Sequence, residues 1–464
     1  MNKVAIAAAG LLLIVLLALP GLVGSITEAN VRDRVAVIDA SGSADAELTS
    51  FDKGWFRSTA RILLRPENFD QLAAATGTQL GVVGELPIAV EFAHGPVAVL
   101  GGVYFGWSTF VARPDLEAPG VTELTQRLGV PYLFQFRGRT PFFGGLRFDA
   151  DAPPFTLPVD EALLTFSGGT LAGRLAGQRL EADAQIGSLD LSSPTGTFAL
   201  RGVSASADNE LRSEYVMPGE ASFSIASISV APAQSTTPMF ETANLRMSSD
   251  VDIDAAGELL EMRVKYDVDS VRIQDNELTA GSLGLTILKL DVAAVEAYGA
   301  IASDPASGLD PQAIAASLGP HLERSLRAGP SLTLDPVRFR YDGEPFEGRV
   351  EVTTNPARLP PAGTLTLDNP LLLLSVVNTK ADLRMSKTLA GQLATLGARM
   401  QLSYDPTIPP DQLDYMAEAQ SGLMLTMLVG QGVLIEEGDG YRTSLDYTDG
   451  SLTLNGNPLP FGLQ

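Results

Sequence analysis

Residues 162–193 read ALLTFSGGTLAGRLAGQRLEADAQIGSLDLSS, and they are the clearest guide to the fold class. Apolar and polar side chains alternate through most of this stretch, as in strands that turn one face to a core and the other to water. The alternation is interrupted at Gly168-Gly169 and at Gly177-Gln178, which are combinations that suit tight turns. The stretch therefore predicts consecutive antiparallel strands joined by short turns.

The same pattern extends on both sides, over residues 132–230 and then 243–275. Helical patterns lie elsewhere, at 68–75, 290–302 with Asp291 as the N-cap, 311–328, the end of 382–399, and 410–429. We therefore expect a mainly β chain with a few helices, an α+β class in which long, curled antiparallel meander sheets follow an N-terminal transmembrane helix. The predicted regions are a signal anchor over 1–27, an N-terminal α+β region over 28–130, a β-meander region over 131–280 and a C-terminal α+β region over 281–464.

The transmembrane prediction rests on Val4 to Thr27, which contains no charged side chain. About 20 apolar residues in a helix rise about 30 Å, the thickness of a bilayer core, whereas the apolar part of a secretory signal is shorter. The run predicts an uncleaved signal anchor; the small residues near Gly24 and Ser25 leave a cleaved signal peptide as the alternative. No second run is long enough to span the membrane, so we expect the N-terminus inside and the bulk of the chain outside the cytoplasm.

Composition excludes several classes of function. The chain has no cysteine, and therefore no disulfide, thiol nucleophile or thiolate metal ligand. Its formal net charge of −23 repels nucleic acid and anionic lipid headgroups, and no local run of Lys and Arg opposes it. A hydrophobic content of 45% over 464 residues argues against disorder and predicts two or three packed domains.

No residue pattern predicts catalytic, cofactor-binding or metal-binding residues, and we expect a protein that is not an enzyme. Neither His94 nor His321 has the spacing of a metal ligand, so both are interpreted as structural. Ser50 and Lys53 match a serine-x-x-lysine spacing but lack the partner motifs of that chemistry. Acidic pairs such as Glu436-Glu437 and Asp252/Asp254 arise by composition among 55 acidic residues. Asp149/Asp151 and Asp267/Asp269 alternate as in calcium loops, but no glutamate-terminated twelve-residue loop follows, so they are interpreted as polar strand faces.

Apolar clusters are interpreted mainly as core. Met416, Met424 and Met427 form a stripe on the last helix, which is either core or a groove for a flexible apolar ligand. The aromatic clusters Trp55-Phe56 and Tyr104-Phe105-Gly106-Trp107 are predicted to be buried against the sheet.

Three segments carry a family resemblance: DKGWFRS at 52–58, GPSLTLDPVRF at 329–339 and YTDGSLTLNG at 447–456. Together with the N-terminal apolar run and the β-rich middle, they resemble the YdgA-like family of bacterial membrane-anchored proteins, a domain of unknown function. Arg57 departs from the small or polar residue that is commoner there. The resemblance implies a single-pass protein of a Gram-negative inner membrane with its bulk in the periplasm, and it supplies no catalytic residues.

The preferred functional hypothesis is a membrane-anchored periplasmic scaffold or binding protein whose curled sheet offers a concave apolar surface to lipid or another hydrophobic ligand. The alternative is a structural or assembly factor that binds an envelope protein, for example through sheet edges. A third hypothesis, an uncharacterised hydrolase, requires polar groups that converge in one pocket. No cofactor is expected.

Overall fold

The computed structural model describes residues 27–33, 35–36, 39, 44–66, 85–159, 161–213, 215–233, 235, 237–302, 319, 321, 323–361, 375–403, 409 and 412–459. The chain divides into two compact units. The first comprises residues 1–212, 232–234 and 302–308, and the second 213–231, 235–301 and 309–464.

The first unit is a long antiparallel sheet. Its strands are β1 Ala44–Lys53, β2 Arg57–Pro66, β3 Leu86–His94, β4 Val97–Val99, β5 Val103–Phe105, β6 Ser108–Pro114, β7 Gln135–Thr140, β8 Leu146–Ala152, β9 Phe155–Val159, β10 Ala162–Phe166, β11 Gly169–Ala176, β12 Arg179–Ser193 and β13 Gly196–Glu210. Neighbouring strands pair in the order β1, β2, β3, β6, β7, β8, β11, β12, β13. Strand β10 pairs with β9 and with the second half of β12, while β4 and β5 form a separate hairpin.

Phenylalanine rings cross several strands of this sheet. The rings of Phe92, Phe110, Phe136 and Phe148 follow one another with centroids 5.7–5.8 Å apart. Gly138 leaves room for them, because a Cβ there would lie 2.1 Å from the Phe110 ring. Ala60, Ile88, Val90 and Phe92 form the buried core of this part, and helix α1, Pro119–Leu128, follows β6.

The second unit is a meander with helices. Its strands are β14 Gly219–Pro232, β15 Phe240–Ile253, β16 Leu259–Ile273, β17 Asn276–Asp291, β18 Ser331–Tyr341, β19 Glu344–Thr354, β20 Val377–Ser386, β21 Ile435–Glu437, β22 Gly440–Thr448, β23 Ser451–Leu454 and β24 Asn457–Leu459. From β14 to β20 each strand pairs with the next, β22 joins β20, and β21 and β23 share the other edge of β22. The helices are α2 Val292–Ala302, α3 Lys387–Ser403 and α4 Leu413–Gly430, with a short 3₁₀ turn at Pro356–Arg358.

Local chemistry fixes several boundaries. The carboxylate of Asp291 accepts a 2.9 Å hydrogen bond from the Ala294 amide, which confirms the predicted N-cap of α2. Burial alone would raise the pKa of Asp291, but the Arg324 guanidinium and the Ala294 amide outweigh burial and lower it. The turns Asp449-Gly450 and Asn455-Gly456 have positive φ at both residues, as two-residue hairpin turns require.

The mainly β, antiparallel character predicted from the sequence is confirmed, and so are the strand-to-helix change over 382–399 and the last helix. Among the described residues, no helix is both long enough and apolar enough to cross a membrane. The predicted anchor over 1–27, apart from Thr27, and the predicted helix over 68–75 lie outside the described residues, as does most of 311–328.

Candidate functional site

One face of the second unit's sheet carries paired charges. Arg263 lies 3.2 Å from both Asp250 and Glu261, and Arg349 pairs with Asp335 and Glu351. A depression of about 540 Å³ on this face is lined by Arg349, Glu351, Lys380, Ala381, Asp382, Ser444, Leu445, Asp446, Thr453 and Gly456. Its charges are matched, since Lys380 lies near Asp446 and Arg442 binds Asp382. This is the pattern of a solvated sheet face.

The opposite face is apolar. Directly opposed residues of antiparallel strands point to the same side of a sheet, so the register defines rows of side chains. One row runs across five strands, from β14 to β18: Phe223, Met247, Tyr266, Leu283 and Val337. We call this row and its flanking apolar residues the open apolar face. Phe223, Tyr266 and Leu283 are 38%, 41% and 36% exposed.

Among the described residues, one end of the open apolar face is covered. There, Val216, which precedes β14, and Val292, the first residue of α2, pack on Leu260, which is 5% exposed. Along β16 burial then falls, from Val264 at 9% exposed to Tyr266 at 41%. A sheet face of this kind is normally covered by a second layer, so a half-exposed apolar row is unusual.

A second apolar surface lies at one end of the first unit's sheet. The register places the β1–β2, β3–β6 and β7–β8 connections at that same end. We call residues 54–56, 95–107 and 141–145 the aromatic tip. Its exposed apolar side chains, 37–92% accessible, are Trp55, Phe56, Val97, Val99, Val103, Phe105, Trp107, Phe142 and Phe143.

Backbone hydrogen bonds hold the aromatic tip together. The Trp107 amide donates to the Thr140 carbonyl at 2.8 Å, and the His94 amide donates to the Phe56 carbonyl at 2.8 Å. The Trp107 and Phe142 rings meet edge to face with centroids 5.3 Å apart. Three separate connections are therefore joined into one structured surface rather than projecting as independent loops.

The prediction that both aromatic clusters are buried was wrong. Trp55, Phe56, Phe105 and Trp107 are all at least 40% exposed, because they lie in or beside turns beyond the last strand pair and not on the sheet. The prediction that the methionine stripe is core was also wrong for Met416 and Met427, which are 38% and 53% exposed.

The residues considered for catalysis do not converge. His94 is 1% exposed, its Nε2 lies 2.9 Å from Ser58 Oγ, and burial lowers its pKa. Ser50 and Lys53 lie on β1, not at a helix start. Asp149/Asp151 and Asp267/Asp269 lie on β8 and β16, where Arg137 binds Asp149 and Asp151 and Lys265 binds Asp267. Across the residues that the structure describes, no cluster of three His, Asp or Glu side chains suits a metal ion.

A family model described as "Bacterial protein of unknown function (DUF945)" matches residues 1–461. No curated protein matches the chain, and no solved structure does.

Proposed function

We propose that this chain, which belongs to the bacterial DUF945 family, is a cell-envelope protein that holds lipid or another hydrophobic ligand against the open apolar face. The observation that carries the proposal is the row from Phe223 to Val337, in which five apolar side chains cross five strands and three are at least 36% exposed. An acyl chain laid on such a row would remove apolar surface from water at about 25 cal/mol per Å².

The proposed location is a Gram-negative inner membrane, with the chain anchored by residues 1–27 and its bulk in the periplasm. Support comes from the uncharged run Val4 to Thr27 and from the motifs at 52–58 and 447–456, on which we also assign the chain to the YdgA-like group. A tether of this kind would hold the open apolar face near a source of lipid.

Site-specific photocrosslinking in cells tests the proposal. A photoreactive phenylalanine analogue would replace Tyr266 of the full chain in one strain and Lys265 in another. Both residues lie on β16, but Lys265 faces the charged side, where it binds Asp267. We expect a lipid adduct, detected by mass spectrometry, at position 266 and not at position 265. Equal adducts at both positions, or none at 266, would refute the proposal.

A second function, binding of an envelope protein, is favoured by the α3–α4 helical hairpin. Its helices are joined through buried small residues, including Ala394, Ala398, Ala417 and Ser421. Its outer surface exposes Leu396, Met400, Tyr415, Leu423 and Met427 at 53–78%. A photoreactive residue at Leu423, which is 74% exposed, would give an adduct of defined protein mass if this surface binds a partner.

A further inference from the structure

We propose that the aromatic tip of the first unit docks on a bilayer that contains anionic phospholipid. The proposal is independent of the open apolar face. It rests on the exposed apolar side chains of the tip and on a set of unpaired cations immediately behind them.

The cations form a row across three neighbouring strands. Arg139 of β7 is directly opposite Arg147 of β8, and Arg147 is directly opposite Arg174 of β11. We call these three residues the arginine row. Like charges directly opposite each other destabilise a sheet, and neighbouring strands are only about 4.8 Å apart. The sequence contains no local run of Lys and Arg, but the register brings together three arginines that are far apart in sequence.

The described part of the chain does not neutralise the arginine row. Among the described residues, Arg139, Arg147 and Arg174 have no acidic ion-pair partner, although Arg174 Nε donates to the Gly144 carbonyl at 2.9 Å. By contrast, Arg137, which lies two positions before Arg139 on β7, binds both Asp149 and Asp151. The same sheet face is therefore charge-matched away from the tip and unmatched next to it.

The local charge opposes that of the whole protein. Residues 53–58, 94–108, 138–147 and 174–178 contain five basic side chains and no Asp or Glu, in a chain of net charge −23. The basic side chains are Lys53, Arg57, Arg139, Arg147 and Arg174. These four ranges carry basic side chains and no acidic ones, although the protein as a whole is strongly acidic. Such a local excess of positive charge indicates an anionic ligand.

The arrangement fits a lipid surface. Guanidinium groups bind phosphate oxygens through paired hydrogen bonds, and Trp and Phe side chains prefer the boundary between headgroups and acyl chains. Phe143, which is 92% exposed, and Phe105 and Val103, both 66% exposed, would enter the boundary while the arginine row meets the phosphates. Lipid fits better than nucleic acid, because the exposed valines of β4 and β5 can enter the acyl region of a bilayer but cannot stack on bases.

A fluorescent probe tests the docking in the full chain. Because the protein has no cysteine, Phe143→Cys introduces a single site for a polarity-sensitive dye. The control is Thr195→Cys, in the β12–β13 turn at the opposite end of the strands. The labelled chains would be mixed with an excess of vesicles of neutral phosphatidylcholine or of phosphatidylcholine with 30% phosphatidylglycerol (on the order of a bacterial anionic fraction).

We expect a blue shift and a rise in emission at position 143 with anionic vesicles, a smaller change with neutral vesicles, and none at position 195. Replacing Arg139 and Arg147 by Gln should weaken the anionic-vesicle response about 25-fold, at about fivefold per cation, while replacement by Lys should retain most of it. A Val103→Cys probe repeats the test with Phe143 intact. Equal responses to both vesicle types, no response at either tip position, or a response to oligonucleotide but not to vesicles would overturn the proposal.

Discussion

At the scale of single residues, His94 links the aromatic tip to the core. Its side chain is buried, and its ring stacks on Phe92 with centroids 6.2 Å apart. Burial lowers the pKa of His94, so the folded protein favours the neutral imidazole, whereas the unfolded chain protonates near pH 6.5. The contribution of this group to stability is therefore complete above about pH 6.5 and is lost as the pH falls from there toward the folded pKa.

We predict that the free energy of unfolding of the first unit falls between pH 7.5 and pH 5.5 (about one unit either side of the ordinary histidine pKa), by at most about 1.4 kcal/mol per pH unit from this group. His94→Gln should flatten this dependence. Urea titrations at each pH measure the free energy of unfolding. Tryptophan fluorescence reports on the first unit, because both tryptophans, Trp55 and Trp107, lie there. The same slope in the wild-type chain and in His94→Gln would contradict the prediction.

At the scale of elements, helix α3 offers a matched pair of substitutions. Leu389 is fully buried, whereas Leu396, about two turns later, is 55% exposed. Leu389→Ala should lower the free energy of unfolding of the second unit by about 2–5 kcal/mol, because it removes packed atoms and leaves a cavity. Leu396→Ala makes the same change in helix propensity but should alter stability by less than about 0.5 kcal/mol.

Chemical denaturation followed by far-ultraviolet circular dichroism compares the two variants with the wild-type chain. Similar losses at Leu389 and Leu396 would mean that Leu396 is covered in solution, for instance by a partner on the α3–α4 hairpin. In that case the second proposed function would gain support.

Elements governed by local chemistry could be predicted from the sequence. Alternation of side chains marked the long strands, and Asp-Gly and Asn-Gly pairs marked the last two hairpin turns. The apolar run 97–103 has the length of a single strand but contributes to the β4–β5 hairpin, since Gly101 has a φ of 66° and the Leu100 amide donates to the Gly102 carbonyl. The Gly101-Gly102 pair inside this apolar run was the sequence signal for a turn.

The candidate sites could not be predicted in the same way because both depend on register. The open apolar face arises from four successive strand pairings that carry one row from Phe223 to Val337, and the arginine row joins positions 139, 147 and 174. Periodicity indicates which face of a strand is apolar, but not whether a second layer covers it. One signal was readable for the tip, since its aromatic residues are flanked by Gly or Pro, which is typical of turns rather than strand interiors.

At the scale of the whole molecule, the two proposed surfaces have a function only if the chain beyond residue 27 faces an envelope compartment. Strand β1 runs from Ala44 to Lys53 at the aromatic tip, a distance of about 30 Å at 3.3 Å per residue. The tip therefore lies at the end of β1 remote from Ala44.

The absence of cysteine makes this orientation directly testable. We expect the exposed Lys265→Cys to react with a membrane-impermeant maleimide in cells whose outer membrane alone is permeable, because the proposed topology places β16 in the periplasm. Asn2→Cys, before the apolar run, should react only after the inner membrane is disrupted, since the positively charged amino-terminal segment is expected to stay in the cytoplasm. The wild-type chain, with no thiol, controls for background labelling. Protection of Lys265→Cys until lysis would place the second unit in the cytoplasm, and the envelope function proposed for the open apolar face would then be untenable.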